Sequence, residues 1–252
     1  MGRIVFLLGG ISILAQSPAF AVPNSGGRIA LHRQATQSPV TGSQLCGPLS
    51  PNGNQLPCSA YTVTAPAPGA SFVYVVAAMA DAGAGVSFVS FGIDFDGRDP
   101  DGQPGTGDEH GIMPAYVSWT QCADGLNLSK NGALGDWPAP LSSGRISWNG
   151  CQNTVIGGTV HAVVGCFYLY AYSEDVFRIT PNNNVQSGPE LSIAGCDGIP
   201  TNLLSIYPPE LYPTLAGRVE FGGDGSQGFN PCNAAVPVTP SSWGRMKTRF
   251  AN

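Results

Sequence analysis

Val86–Phe95 reads VSFVSFGIDF. From Val89 onward the residues alternate. Val89, Phe91, Ile93 and Phe95 fall on one side of an extended chain, and Ser90, Gly92 and Asp94 on the other. A period of two is that of a strand with one face against a core. The segment before it, Ser71–Ala80 (SFVYVVAAMA), is apolar on both sides, as a central strand between two layers can be. Asp81–Gly85 (DAGAG) supplies the turn between them.

Working outward, Tyr61–Ala65 alternates weakly and Pro114–Thr120 reads as another strand. Thr154–Thr180 holds two or three strands, a long hairpin being one arrangement. Leu191–Ala194 and Arg218–Phe221 read as short closing strands. Residues 122–151, with Trp137 and Trp148 among Gly and Pro, read as a long loop. The chain carries 34 Gly and 22 Pro, and no helical repeat of good helix formers runs through it outside the last dozen residues. These features predict an all-β fold, an antiparallel two-sheet sandwich. Its roughly 170 residues exceed the ~100 of a minimal immunoglobulin domain. That size fits an elaborated Ig-like sandwich or a jelly roll.

The N-terminus, MGRIVFLLGGISILAQSPAFA, has Arg3, an apolar stretch from Ile4 to Ala15, and Ala19-Phe20-Ala21. That is the pattern of a secretory signal peptide over residues 1–21. The apolar run is too short to span a bilayer. Residues 22–57, rich in Gly, Ser, Gln and Pro, read as a flexible lead-in. The sandwich domain is expected over 58–232, with a linker and short basic tail over 233–252. In that tail Ser241 or Ser242 could cap a short helix presenting Trp243, Met246 and Phe250 on one face.

Loss of the leader removes only Arg3, leaving 10 basic and 16 acidic residues and a net charge of −6. That balance argues against a nucleic-acid partner, which calls for a basic face. No second stretch suits a membrane span, because Gly157, Gly158, Thr159 and His161 interrupt the most apolar one. All seven Cys fall in the exported part, where disulfides persist. Seven is odd, and Cys166, inside the apolar HAVVGCFYLYAY, is expected to be the free one. Cys46 and Cys58, Cys122 and Cys151, and Cys196 and Cys232 flank three segments as neighbours. Neighbour pairing is one of fifteen connectivities that six cysteines allow.

Several stretches taken together resemble a group of uncharacterised secreted β-sandwich bacterial proteins. They are VSFGID (Val89–Asp94), SWTQCADG (Ser118–Gly125), Trp137-Pro138, FYLYAYSEDVFRIT (Phe167–Thr180), Cys196-Asp197-Gly198, GFNPC (Gly228–Cys232) and the tail TPSSWGRMKTRF, with its Ser/Thr-Trp-Gly-x-x-Lys pattern. The resemblance covers most of residues 72–250. It implies a secreted sandwich and the pairs Cys122–Cys151 and Cys196–Cys232. It implies no activity.

Candidate chemistry is sparse. Gly223–Gly228 (GDGSQG) matches G-x-G-x-x-G but leads into Phe-Asn-Pro-Cys rather than a helix, so a plain turn is expected. His161 lies in strand-like sequence, where a hydrogen-bonded core or rim role is expected, and His32 lies in the lead-in. Glu174 and Asp175 are adjacent, which does not converge two carboxylates on one glycosidic bond. Trp119, Trp137 and Trp148, with the row Tyr168, Tyr170 and Tyr172, suit core packing or a sugar-stacking platform. The remaining concentration of polar groups is acidic: Asp94, Asp96, Asp99, Asp101, Asp108 and Glu109, against Arg98. Calcium takes six to eight oxygen ligands and suits an irregular Gly-rich loop outside the cell, so the stretch reads either as a solvated acidic loop with no cofactor or as a site for a structural calcium. The functional expectation is a secreted, non-enzymatic structural or adhesion module, with carbohydrate binding as the alternative and a secreted hydrolase as the third reading. Its partner would be a glycan or a protein surface.

Overall fold

In chain order the strands are β1 (Arg28–Ala35), β2 (Thr64–Ala65), β3 (Gly69–Ala80), β4 (Val86–Asp94), β5 (Ser118–Gln121), β6 (Ser143–Gln152), β7 (Val155–Ile156), β8 (Thr159–Ala171), β9 (Asp175–Thr180), β10 (Ser192–Ala194), β11 (Pro200–Asn202) and β12 (Arg218–Phe221). This is a computed structural model, and it describes residues 22–35, 45–46, 56–98, 107–128, 137–183 and 185–234. The leader 1–21, Asp99, Asp101 and the Trp243–Phe250 tail lie outside those residues.

Two sheets pack face to face. One runs β1-β3-β8-β5, with β7 hairpinned onto β8. The other runs β11-β10-β4-β9-β12-β2, with β6 on β4. Every ladder is antiparallel except the two-residue pair of β12 with β2. The expected antiparallel two-sheet sandwich is therefore the fold. β4 does what its alternation demands. Val89, Phe91 and Ile93 are fully buried between the sheets, where they join Val73, Val75, Phe167, Leu169, Phe177, Val219 and Phe221.

Several local expectations need correction. The lead-in is not wholly loose, because Arg28–Ala35 pairs with β3 over its whole length. Ile29 and Leu31 face the core between the sheets, and Ala30 faces the other side. The sandwich thus begins well before residue 58. Nor is 122–151 all loop. β6 pairs with β4 and points Ile146 and Trp148 inward, with Arg145 outward. Thr154–Thr180 is not one long hairpin. β7 and β8 form a short one through Gly157-Gly158, both at positive φ, and β9 crosses to the opposite sheet.

A second apolar cluster lies on the outer face of the β1-β3-β8-β5 sheet. Ala30, Tyr61, Tyr74, Val76, Ala78, Val163 and Cys166 pack there beneath Cys58 and Cys232. The six expected cysteines are bonded and Cys166 is free and buried, but the partners are exchanged: Cys46–Cys122, Cys58–Cys232 and Cys151–Cys196. Each bridge ties together segments distant in sequence, so neighbour pairing, and the pairs the resemblance implied, fail. In a sandwich, neighbours in space are often far apart in the chain, and spacing alone does not reveal them.

Candidate functional site

The described ends of the acidic loop meet one guanidinium and backbone amides of the protein itself. Asp94 is the outward residue at the end of β4 and stands opposite Arg178 of β9. Arg178 donates to Asp94 through Nε (3.0 Å) and Nη2 (2.5 Å), and its Nη2 lies 3.6 Å from the Asp96 carboxylate. These contacts hold the Arg178 guanidinium above its ordinary pKa, the hydrogen bond to Asp94 contributing most. Glu109 is buried and accepts the Gly107 N–H at 2.9 Å, while Asp108 is half-buried. Among the described residues, no three His, Cys, Asp or Glu side chains are placed to hold a metal ion. Of the six expected ligands, Asp94 and Asp96 face a guanidinium, and Asp99 and Asp101 lie outside the described residues.

Two carboxylates outside that expectation organise this end of the molecule. Asp175 of β9 is buried and accepts the backbone N–H groups of Asp96 (3.1 Å), Ile112 (2.8 Å) and Val176 (2.6 Å). It thereby pins both ends of the acidic loop to the sheet. Glu220 of β12 is 4% exposed. Its Oε1 accepts from the amide of Gly225 (3.2 Å), and its Oε2 from those of Gln227 (2.6 Å) and Gly228 (3.0 Å). The GDGSQG stretch is thus a turn, as expected, but a particular one. Its amides converge on an anion, and the anion is the chain's own carboxylate, the role a phosphate takes in a nucleotide loop. The signal was available in sequence: an acidic residue in a strand, three positions before a Gly-rich turn. Glu174, exposed, shares with Asp96, Asp175 and Glu220 a polar cavity of about 260 Å³.

Two of the three histidines, His161 and His32, are buried and hydrogen-bonded. His161 is buried, with Nδ1 3.4 Å from the Tyr61 hydroxyl and Nε2 3.2 Å from Thr159 Oγ1. His32 sits in β1 and accepts the Thr62 N–H on Nδ1 at 3.0 Å. Burial lowers the pKa of both; for His32, with the charge of Arg33 adding to the effect, it falls to about 4.

The aromatic residues divide into two groups. Among the described residues, the tryptophans pack against the interior. Trp148 is buried, and Trp119 and Trp137 meet edge to face at 5.6 Å. Phe167 lies 4.4 Å from Trp119 and 5.6 Å from Trp137. Gly165 on β8 makes room for the Trp119 indole, because a Cβ there would overlap the ring. The tyrosine row is different. Tyr168, Tyr170 and Tyr172 leave the outer face of the sheet, with Tyr168 and Tyr116 more than a third exposed. Phe72 lies 5.7 Å from Tyr168 across the β3–β8 pair. Tyr172 lies 4.8 Å from Tyr170 and 6.1 Å from Tyr116. The interplanar angles of 60°, 61° and 41° make this a curved strip rather than a flat one.

No family model matches the chain. No curated protein matches it at a significant level. Among solved structures it is similar to a cohesin module from a Clostridium perfringens ATCC13124 family 33 glycoside hydrolase. The TM-score is 0.36 and the identity 8%, covering 64% of this chain and 89% of that one. A likeness at that level identifies neither ligand nor partner.

Proposed function

We propose that the chain is a secreted, non-enzymatic binding module that holds a neutral glycan along the strip Phe72, Tyr168, Tyr170, Tyr172 and Tyr116. The observation that carries this reading is the division of the aromatics. Trp119, Trp137 and Trp148 pack against the core, whereas Tyr168, Tyr170, Tyr172 and Tyr116 run half-buried to exposed along the outside of one sheet. A row of tyrosines outside a sheet presents apolar ring faces to sugar C–H groups and keeps its hydroxyls available for hydrogen bonds. Ser118 and Gln34 border the strip in register with Tyr168 and Phe72, and both are uncharged, which suits a neutral ligand. Because the rings tilt, they follow a single twisted chain better than a flat crystalline surface. Secretion is supported by the leader-like N-terminus and by three disulfides, which survive outside reducing compartments. The absence of catalysis is supported by what the buried histidines touch: amide and hydroxyl groups.

Affinity electrophoresis against soluble β-glucan, xylan and α-glucan tests the reading. At least one glycan should retard the protein. Tyr168→Ala, Tyr170→Ala and Tyr172→Ala should each weaken retention about two- to thirteenfold, the range of about 0.5–1.5 kcal/mol that one ring contact contributes. Unaltered mobility in every glycan, or retention that survives the triple variant, would overturn it.

A further inference from the structure

On the other sheet, β9 and β12 place Arg178 directly opposite Arg218. Like charges facing each other across a ladder oppose pairing. Arg178 is offset by Asp94 and Asp96. Arg218 has no ion pair among the described residues. Its guanidinium stacks over Phe229 at 5.2 Å, and its Nε is buried without a hydrogen-bond partner. The next outward acid on β12, Glu220, is turned to the amides of residues 225–228 instead.

Beside the two arginines is a cavity of about 300 Å³. Its walls are Ile179 of β9, Leu204 of the helical turn Leu203–Ile206, Pro213 of the 3-10 segment Pro209–Thr214, and Leu191 and Ala216, which lead into β10 and β12. Tyr212 also lines it, but its hydroxyl already donates to the Leu204 carbonyl at 2.8 Å. The chamber is therefore apolar at its walls and cationic at one end. Its volume is at the lower end of small-molecule sites, ~300–1,000 Å³.

We infer that this cavity is a binding site for a small amphiphilic carboxylate, its apolar body against Leu191 and Leu204 and its carboxylate on Arg218. A planar carboxylate matches the Nη1–Nη2 edge of the guanidinium, so it would neutralise Arg218 and relieve the repulsion from Arg178, while the buried Nε stays outside its reach. The site lies on the sheet opposite the tyrosine strip and does not depend on the glycan reading.

The test is an NMR titration of the full exported chain with benzoate as probe and benzamide as its neutral counterpart. Benzoate should shift the backbone amides of Ile179, Leu191, Leu204 and Ala216 saturably. Benzamide should bind at least tenfold more weakly. Arg218→Gln should weaken benzoate at least tenfold, and Arg218→Lys, which keeps the charge but not the fork, by less. If Arg218→Gln does not give a folded spectrum, the Lys variant and the benzamide comparison decide. No saturable shift up to about 10 mM benzoate, a range that still detects millimolar affinity, would overturn the inference. So would benzamide binding as well as benzoate, or Arg218 variants that bind benzoate like the parent.

Discussion

Glu220 shows how one side chain fixes a loop. Three backbone N–H groups point at a carboxylate that is almost wholly out of water. Glu220→Ala would take the acceptor from three amides that are only partly buried, so water can replace part of it. The expected loss is about 1–3 kcal/mol in a denaturant melt. Glu220→Gln, which retains one acceptor oxygen, should lose less. His32 gives a pH dependence. Its folded pKa of about 4 lies below the ordinary 6.5, because burial and Arg33 disfavour the charged ring. Between those values the unfolded chain binds the proton and the folded one does not. The stability is therefore complete above about pH 6.5 and declines as pH falls toward 4. From pH 7 to pH 5 the His32 share is about 2 kcal/mol. The melting temperature should fall over that range, and His32→Gln should flatten the fall. The role of His32 was not legible in sequence, because it stands in a Gly/Ser/Gln-rich stretch whose composition hides its strand. That of Glu220 had a signal, an acid three positions before a Gly-rich turn, but the likeness of that turn to a nucleotide loop drew attention away from it.

At the scale of elements, legibility followed the strength of the alternation. β4 and β3 carry long apolar patterns, and their strands were readable from them. β6 has only Ile146 and Trp148 to mark its inner face, among Ser, Gly and Asn, so its period of two is easily missed. β1 is marked by Ile29 and Leu31 alone. The odd cysteine was legible because an apolar strand surrounds Cys166. The pairings were not, because Cys58 meets Cys232 only after the chain has built both sheets. Non-reducing peptide mapping should recover Cys46–Cys122, Cys58–Cys232 and Cys151–Cys196, with Cys166 modified only after unfolding. Burial pushes the Cys166 thiol up to about 12, which keeps it unreactive in the folded state. Replacing Cys58 and Cys232 together by Ser should cost about 4–5 kcal/mol, since that bridge closes the longest loop of the three.

Across the whole molecule, the two outer faces carry different chemistry because the sheets are finished differently. The β1-β3-β8-β5 sheet is half covered by the Cys58–Cys232 staple and its small apolar cluster, which leaves the tyrosine end open. The other sheet is finished by polar groups. Arg145 pairs with Glu190 at 2.6 Å, Ser90 donates to Glu190 at 3.2 Å, and Asn182 links Ser90 to Ser143. β1 forms the edge of the first sheet and pairs with β3 beside Val73 and Val75, and the segment just before it places the Asn24 side chain on the Gly85 carbonyl and the Asp81 N–H. A chain beginning at residue 58 would lose eight cross-strand positions with β3 and the wholly buried Ile29 and Leu31. Burial of those two side chains alone contributes roughly 3–6 kcal/mol, a large part of a net stability of about 5–15 kcal/mol. It would also lack Cys46, the partner of Cys122. Residues 22–234 should therefore melt cooperatively, while residues 58–234 should show no cooperative transition in circular dichroism and should bind a hydrophobic dye. A sharp melt for the shorter chain would mean that β1 merely decorates a sandwich already complete without it.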